Sequence, residues 1–459
     1  MNNFFDLGNL NNCTFEKYIE ILDPETLEDV NNAKLQYCLE LDKISLSDIG
    51  ETERKAIGRL RKEAKKKKQK IESSVPTAST SSTQKIISSD NDLLYRVESE
   101  EDIWNLWYNF VKECKNNDNM HSFSLEKIGI IQCGYTVKMR SCFIPELYPL
   151  LVVKPTIIDP CKNLNEKLID VFESETINNF KSSLKRFKKE NVENEEAVFI
   201  SKIFKLLING SMDEKKLKLI NKRESNLSYY LIWPLMEAVS SKVSFEVGEY
   251  KLVAIHNEII RRNDDILKNL NYNADDCHTC HINKKYIELS LLEISSKFSE
   301  KNEAKFTKDH VKAGFGALAI LQEIGHIFCF GSLETFSSIL VYFVHVMGDK
   351  IRLWSLELVS AGVCVMDLIH TATIPTEVDD EVNLRELVRL LWTFRHGLEL
   401  TMEKVNQLFR EHKAVELSLA MEKSDVNEVS RNSIPSSFEK GCILKIKGDY
   451  IPGYEELQV

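Results

Sequence analysis

Tyr286-Ile287-Glu288-Leu289-Ser290-Leu291-Leu292-Glu293-Ile294-Ser295 is the stretch on which the fold turns. It is rich in Ile and Leu, and it is short enough for a core strand. Glu293 lies inside it. A carboxylate in a buried strand is costly unless a cation or a hydrogen-bond network compensates it. The stretch therefore predicts both a central strand and a place to look for chemistry.

The pattern extends outward on both sides. Residues 308–328 return to helical spacing. Residues 339–346 and 351–358 are apolar runs flanking Met347-Gly348-Asp349-Lys350, where Gly supplies the backbone angles of a tight hairpin turn. Residues 363–368 add a further strand. Leu384, Leu387, Val388, Leu391, Phe394, Leu398, Met402, Val405, Leu408 and Phe409 form one long helical stripe. On the other side, Val243, Phe245 and Val247 alternate with polar neighbours as a strand does. Residues 224–237 read as a helix in which Pro234 forces a kink or a restart. The order helix, strand, acidic turn, strand, helix, hairpin, helix is an α/β pattern with a mixed sheet.

Composition agrees. The 459 residues contain only 17 glycines, about half the usual ~7% share, and 10 prolines. That disfavours an all-β chain and favours long helices. Sixty Lys and Arg against 70 Asp and Glu leave a net charge of −10, which argues against a simple basic nucleic-acid coat. The distribution is uneven. Residues 54–70 hold ten basic residues against Glu63 alone, a net +9, so −19 is spread over the rest. Residues 73–83 are a Ser/Thr-rich stretch too polar to bury itself. The expected organisation is a helical segment over 1–72 ending in the basic run, a flexible linker over 73–91 and a helix-rich region over 92–220. An α/β core with the long helix follows over 221–423, then a polar tail over 424–459.

The first residues carry no basic region followed by an apolar core, so a secretory signal is not expected. Eleven scattered cysteines read as reduced thiols of a nuclear or cytoplasmic protein. The most apolar window, 313–347, contains Gln322, Glu323, His326, Glu334 and His345, which excludes a membrane span and suits a buried helix followed by a strand.

Asp275, just before the strand region, pairs naturally with Glu293. Two carboxylates on adjacent strands make a site for Mg²⁺, an ion that prefers oxygen ligands and bridges to phosphate. Two plainer readings stand beside this one: Asp275-Asp276 as a loop acid pair, and Glu293 facing solvent at a sheet edge.

From Glu224-Ser225 through Asn273-Ala274-Asp275, Leu292-Glu293-Ile294-Ser295 and Lys308-Asp309-His310-Val311-Lys312 to Arg352-Leu353-Trp354-Ser355, about a third of the chain resembles the PD-(D/E)xK nuclease-like superfamily. More narrowly, it resembles the form seen in uncharacterised proteins of early-diverging fungi. The resemblance implies a restriction-endonuclease-like mixed sheet flanked by helices in the C-terminal half, after a helix-rich N-terminal half. It implies that Asp275 and Glu293 bind Mg²⁺, with Glu224 as an accessory ligand. A Lys two residues after the Glu would position water, but Ser295 stands there, and Ala274 replaces the proline. Lys297 and Lys308 are the candidate catalytic amines, and Lys312 could also supply a migrated one. Glu224 also has an ordinary role as a charge favoured at a helix start.

The implied function is Mg²⁺-dependent hydrolysis of nucleic acid. The alternative is a catalytically inactive nuclear module that binds nucleic acid or protein. Lys65-Lys66-Lys67-Lys68 fits a nuclear import receptor or nucleic-acid phosphates, without aromatics to read bases. Cys277-His278-Thr279-Cys280-His281 matches a haem-attachment pattern but lacks the export route, and has too few ligands for a closed zinc site. It reads as a polar loop. Gly314-Phe315-Gly316 suits close packing, and His326 suits a core or helix-end position.

Overall fold

The structure is a computed structural model and describes residues 100–262, 272–300, 302–422 and 434–438. The basic run with Lys65–Lys68, the linker and most of the tail lie outside the described residues.

The chain is an α/β protein. Helix α1 (Glu100–Asn116) leads to strand β1 (Ile130–Cys133), then α2 (Tyr148–Leu151), α3 (Asn165–Phe172), α4 (Ile177–Glu190), α5 (Glu195–Asn209) and α6 (Glu214–Ile220). Next come α7 (Glu224–Leu227), a π-helical turn (Ser228–Ile232) and α8 (Trp233–Val239). Pro234 sits in the first turn of α8, so the proline restarts the helix where its missing N–H costs nothing. Strand β2 (Ser244–Lys251), α9 (Val253–Arg262), β3 (Asn273–Ile282), β4 (Lys285–Ile294), α10 (Glu303–Ile327) and α11 (Leu333–Ser337) follow. Strands β5 (Val341–Met347), β6 (Lys350–Ser360) and β7 (Val363–Thr373) then precede α12 (Glu381–Glu422).

The strands form one seven-stranded mixed sheet in the order β1-β7-β6-β5-β4-β3-β2. Strand β4 is central, antiparallel to β3 and parallel to β5. It is buried from Ile287 to Ile294, so Glu293 does not face solvent at an edge. The β4–β5 connection is α10, because parallel neighbours need a crossover. Strand β1 joins the far side parallel to β7, so the helix-rich region and the C-terminal core share one sheet. The described residues belong to one compact unit spanning 95–459.

Register shows how the two faces are covered. Tyr342 of β5 pairs with Ser290 of β4, so their side chains share a face, and Leu291 points to the other. A side chain at Gly397 of α12 would meet Tyr342, and one at Gly316 of α10 would meet Leu291. Helices α12 and α10 therefore cover opposite faces. Gly314 and Gly316 lie against Leu125 and Leu252, which is the close packing expected of that pair. A second, smaller core joins Trp107 and Phe110 of α1 to Ile131 of β1 and to Val363 and Val365 of β7.

Three expectations are corrected. The acidic turn is a strand: Asp275 and Asp276 lie inside β3. Cys277-His278-Thr279-Cys280 is not a polar loop but the buried middle of β3, with only His281 exposed. Both faces of the sheet are covered, and His278 meets its partner within the sheet: its Nδ1 lies 2.9 Å from Ser290 Oγ on the neighbouring strand. The tail also departs from expectation, because Ile434–Ser437 forms a 3₁₀ turn with Ile434 buried against Gly325. The described cysteines are free thiols. No described helix is long and apolar enough to cross a membrane.

Candidate functional site

Strands β3 and β4 are joined by the tight turn Asn283-Lys284, whose residues both take positive φ (47° and 65°). That turn and a one-residue irregularity between His278 and Thr279 together set the register, with Asp276 opposite Leu292. Continued by one residue, the register sets Asp275 opposite Glu293. Asp275 Oδ2 accepts a 2.6 Å hydrogen bond from the Ile294 N–H. The row continues across the sheet, with Glu293 beside His345 on β5 and His345 beside Arg352 on β6.

Helix α10 crosses above this row. Asn302 caps it, its side-chain oxygen accepting from the Lys305 N–H at 3.0 Å. Lys305, Asp309 and Lys312 are then four and three residues apart, so they share one helical face. Lys312 Nζ stands 2.6 Å from Glu293 Oε1, an ion pair at an oxygen that accepts no well-directed hydrogen bond. Ser295 Oγ donates to Asp309 Oδ2 at 2.8 Å and lies 2.8 Å from His345 Nε2. Lys305 Nζ donates to the Ile294 carbonyl oxygen at 3.2 Å and to Glu224, which starts α7.

Among the candidates, then, Asp275, Glu293 and Glu224 come to one place at the carboxyl end of β4. Lys297 does not join them: it turns to Glu300 at 3.9 Å in the loop beyond. Lys308 is half-buried on α10 and, among the described residues, makes no ion pair or hydrogen bond. The amine that meets Glu293 is that of Lys312. Lys305, Asp309 and His345 were not foreseen as site residues. The signal that could have found two of them is the 305, 309, 312 spacing, which places two ammonium groups and a carboxylate on one stripe.

Burial dominates the electrostatics. It pushes the Asp275 carboxyl up to about 6, against the Ile294 N–H and the Lys312 charge, while Glu224 and Asp309 push the same way as burial. Burial also raises Glu293 well above the carboxylate range, with Lys312 pulling it back. Burial opposes the Lys312 charge as well, but Glu293 outweighs it and the ammonium sits above the usual lysine value. Glu293 and Lys312 therefore titrate as a coupled pair. His345 is held neutral by burial, with the charges of its neighbours adding to the effect. Asp276 points elsewhere: it accepts from the Trp233 indole and the Gly248 N–H, each at 2.8 Å, and is a structural anchor.

The donor set bears on Mg²⁺ in two opposing ways. Oxygen atoms are abundant and of the right kind: carboxylates of Asp275, Glu293, Glu224 and Asp309, and the Ile294 carbonyl. Against this, among the described residues no three His, Cys, Asp or Glu side chains form a ready metal group. Lysines stand on the carboxylates instead. The residues fit a hard cation in type, with the ammonium groups of Lys305 and Lys312 already supplying positive charge.

Comparisons with protein-family models, with curated proteins and with solved structures found no match to this chain.

Proposed function

We propose that this centre hydrolyses phosphodiester bonds in nucleic acid with the help of Mg²⁺, in the manner the PD-(D/E)xK resemblance implies. The observation that carries the reading is the meeting of Asp275 and Glu293 with the amine of Lys312 at the open end of the β3–β4 pair. Asp275 and Glu293 would hold the ion. When bound, it would orient and activate a water and stabilise charge on the phosphate. Lys312 takes the amine's role in place of Lys297 or Lys308. Its ammonium neutralises a phosphate oxygen and holds a proton next to Glu293. Ser295 cannot do this, since its hydroxyl is committed to Asp309 and His345. Lys65–Lys68 would add salt-sensitive contacts to phosphates and, in a nuclear protein, bind an import receptor.

The test is incubation of the full chain with DNA and with RNA in Mg²⁺ or Mn²⁺. Cleavage that Glu293→Gln and Lys312→Ala abolish supports the reading. Absence of cleavage of either substrate overturns it.

A second reading has its own support: each of Glu293 and Glu224 is already neutralised by a lysine, and no ready metal group is present among the described residues. On that reading the protein is a catalytically silent nuclear module for nucleic acid or protein. It predicts binding that weakens with salt and with deletion of residues 54–70, without cleavage.

A further inference from the structure

Among the described residues two arginines are buried, and they are held differently. Arg140 is 7% exposed and pairs with the buried Glu126 at 2.5 Å. Arg352 is 3% exposed, and its side chain makes no ion pair and no hydrogen bond to any described residue. Its Nη1 is enclosed without a partner. A buried charge is costly unless it is paired. The strand neighbours do not answer it. Thr371 on β7 carries no charge, and burial, helped by the Arg352 charge, holds His345 on β5 and His310 on α10 neutral. Burial works against the guanidinium too, and Asp349 in the β5–β6 turn opposes that through space, without touching it. The contact that holds the group is the Phe306 ring of α10, whose centre lies 4.9 Å from Cζ. A ring attracts a cation but is no counter-ion, so the N–H edge of the fork stays unanswered. A neutral partner would satisfy a donor and still leave the charge.

We propose that Arg352 is an oxyanion-binding residue of this centre, kept without a protein counter-charge so that its guanidinium receives a phosphate group of the nucleic acid. The planar fork matches two phosphate oxygens at once. Its place suits the role. Arg352 closes the row Asp275, Glu293, His345, Arg352, two strand spacings or ~10 Å of backbone from Glu293. A phosphate on it lies beside the Asp275–Glu293 pair and not on it. The way in is short, because Asp349, Lys350 and Thr371 around it are only half-buried. The inference deepens the nuclease reading and rests on it for the identity of the anion.

The experiment is a calorimetric titration of the full chain with a short DNA oligonucleotide, a short RNA oligonucleotide and inorganic phosphate, without divalent cations so that nothing is cleaved. Arg352→Met should weaken binding at least ~10-fold, as expected for losing hydrogen bonds to a charged group. Arg410→Met removes an exposed guanidinium from α12 and should stay within ~2-fold, because exposed charges are screened. A loss confined to the oligonucleotides assigns the site to a phosphate of the strand, and a loss that extends to inorganic phosphate shows that the free ion enters as well. Equal affinity of Arg352→Met and the parent for all three probes overturns the proposal, and so does an equal loss in Arg410→Met. The melting temperature separates binding from a structural role. A buried charge without a counter-ion burdens the fold, so Arg352→Met should melt no lower than the parent. A lower melting temperature, or a variant that does not fold, makes Arg352 a structural element and overturns the proposal. The two proposals fail separately. Cleavage by the parent with binding untouched by Arg352→Met removes the oxyanion residue and leaves the nuclease. Arg352-dependent binding without cleavage does the reverse.

Discussion

Lys312 Nζ stands 2.6 Å from Glu293 Oε1, and the two residues come from elements that cross only in three dimensions, the end of β4 and the third turn of α10. Removing one partner leaves the other charge buried. Lys312→Ala is expected to lower the unfolding free energy at neutral pH by about 3 kcal/mol. The double change to Lys312→Met and Glu293→Met should recover most of the loss, since apolar groups of similar size need no counter-charge. Urea denaturation of the three proteins checks this. A loss below ~0.5 kcal/mol in the single variant would mark the contact as an ordinary surface pair.

The β3–β4 turn carries strain that can be removed. Lys284 sits at φ 65°, a left-handed conformation that costs a residue with a Cβ about 1 kcal/mol. Lys284→Gly should raise stability by roughly 0.5–1 kcal/mol, because Asn-Gly is the favoured pair for such a turn. Lys285→Gly, one residue into the strand, should lower it. A thermal melt that ranks the two variants the other way would contradict the turn assignment.

His278 makes folding sensitive to acid. Burial holds its pKa down to about 4, so the folded protein keeps it neutral, while the unfolded chain takes up a proton near the usual 6.5. The unfolded state then binds more protons, and the stability tied to His278 is lost as pH falls from about 6.5 to 4, by up to ~3 kcal/mol. Asp275 and Asp276 act in the opposite sense. Burial raises them to about 6 and about 7, so their contribution is lost as pH rises from about 4 towards those values. Comparison with His278→Asn separates the two effects. The variant should lose less stability than the parent between pH 6.5 and 4, and parallel pH curves would refute the assignment.

Gly314 is a packing requirement. A Cβ there would stand 2.6 Å from Leu125 Cδ2. Ala is ordinarily better than Gly in a helix by about 1 kcal/mol, yet Gly314→Ala should cost roughly 1–3 kcal/mol by overpacking. Combined with Leu125→Ala, the same change should cost less than the sum of the two single effects. Strict additivity in a double-mutant cycle would show that the two positions do not meet.

Much of the sheet was legible because strands β4 to β7 are rich in apolar residues on both faces, as suits strands covered on both sides. Strand β3 was hidden by its chemistry. Cys, His and Thr read as loop residues until the partners that satisfy them, such as Ser290, are known. Strand β1 was hidden by its length, four residues with Gln132 among them, whose side chain meets the buried His310 at 2.8 Å. At the site, Glu293 announced itself as a charge in an apolar run. Lys305 and Asp309 did not, since charges on a helix ordinarily face water. His345 and Arg352 join the row only through strand register, which depends on pairing across the sheet and not on local pattern.

The parallel pairing of β1 with β7 also has a consequence for the order of events during synthesis. Cys133 and Asp367, in contact across that pair, are separated by 234 positions in the chain. Strand β1 and the aromatic face of α1 leave the ribosome long before the edge that will receive them exists. At ~5–20 residues per second the delay is on the order of ten to fifty seconds. For that interval Trp107, Phe110 and Ile131 lack the part of their final cover that Val363 and Val365 supply, and a ribosome that stops before β7 releases a chain with an open strand and an incompletely covered apolar patch. Truncation products ending short of β7 are thus the species from which aggregation should start.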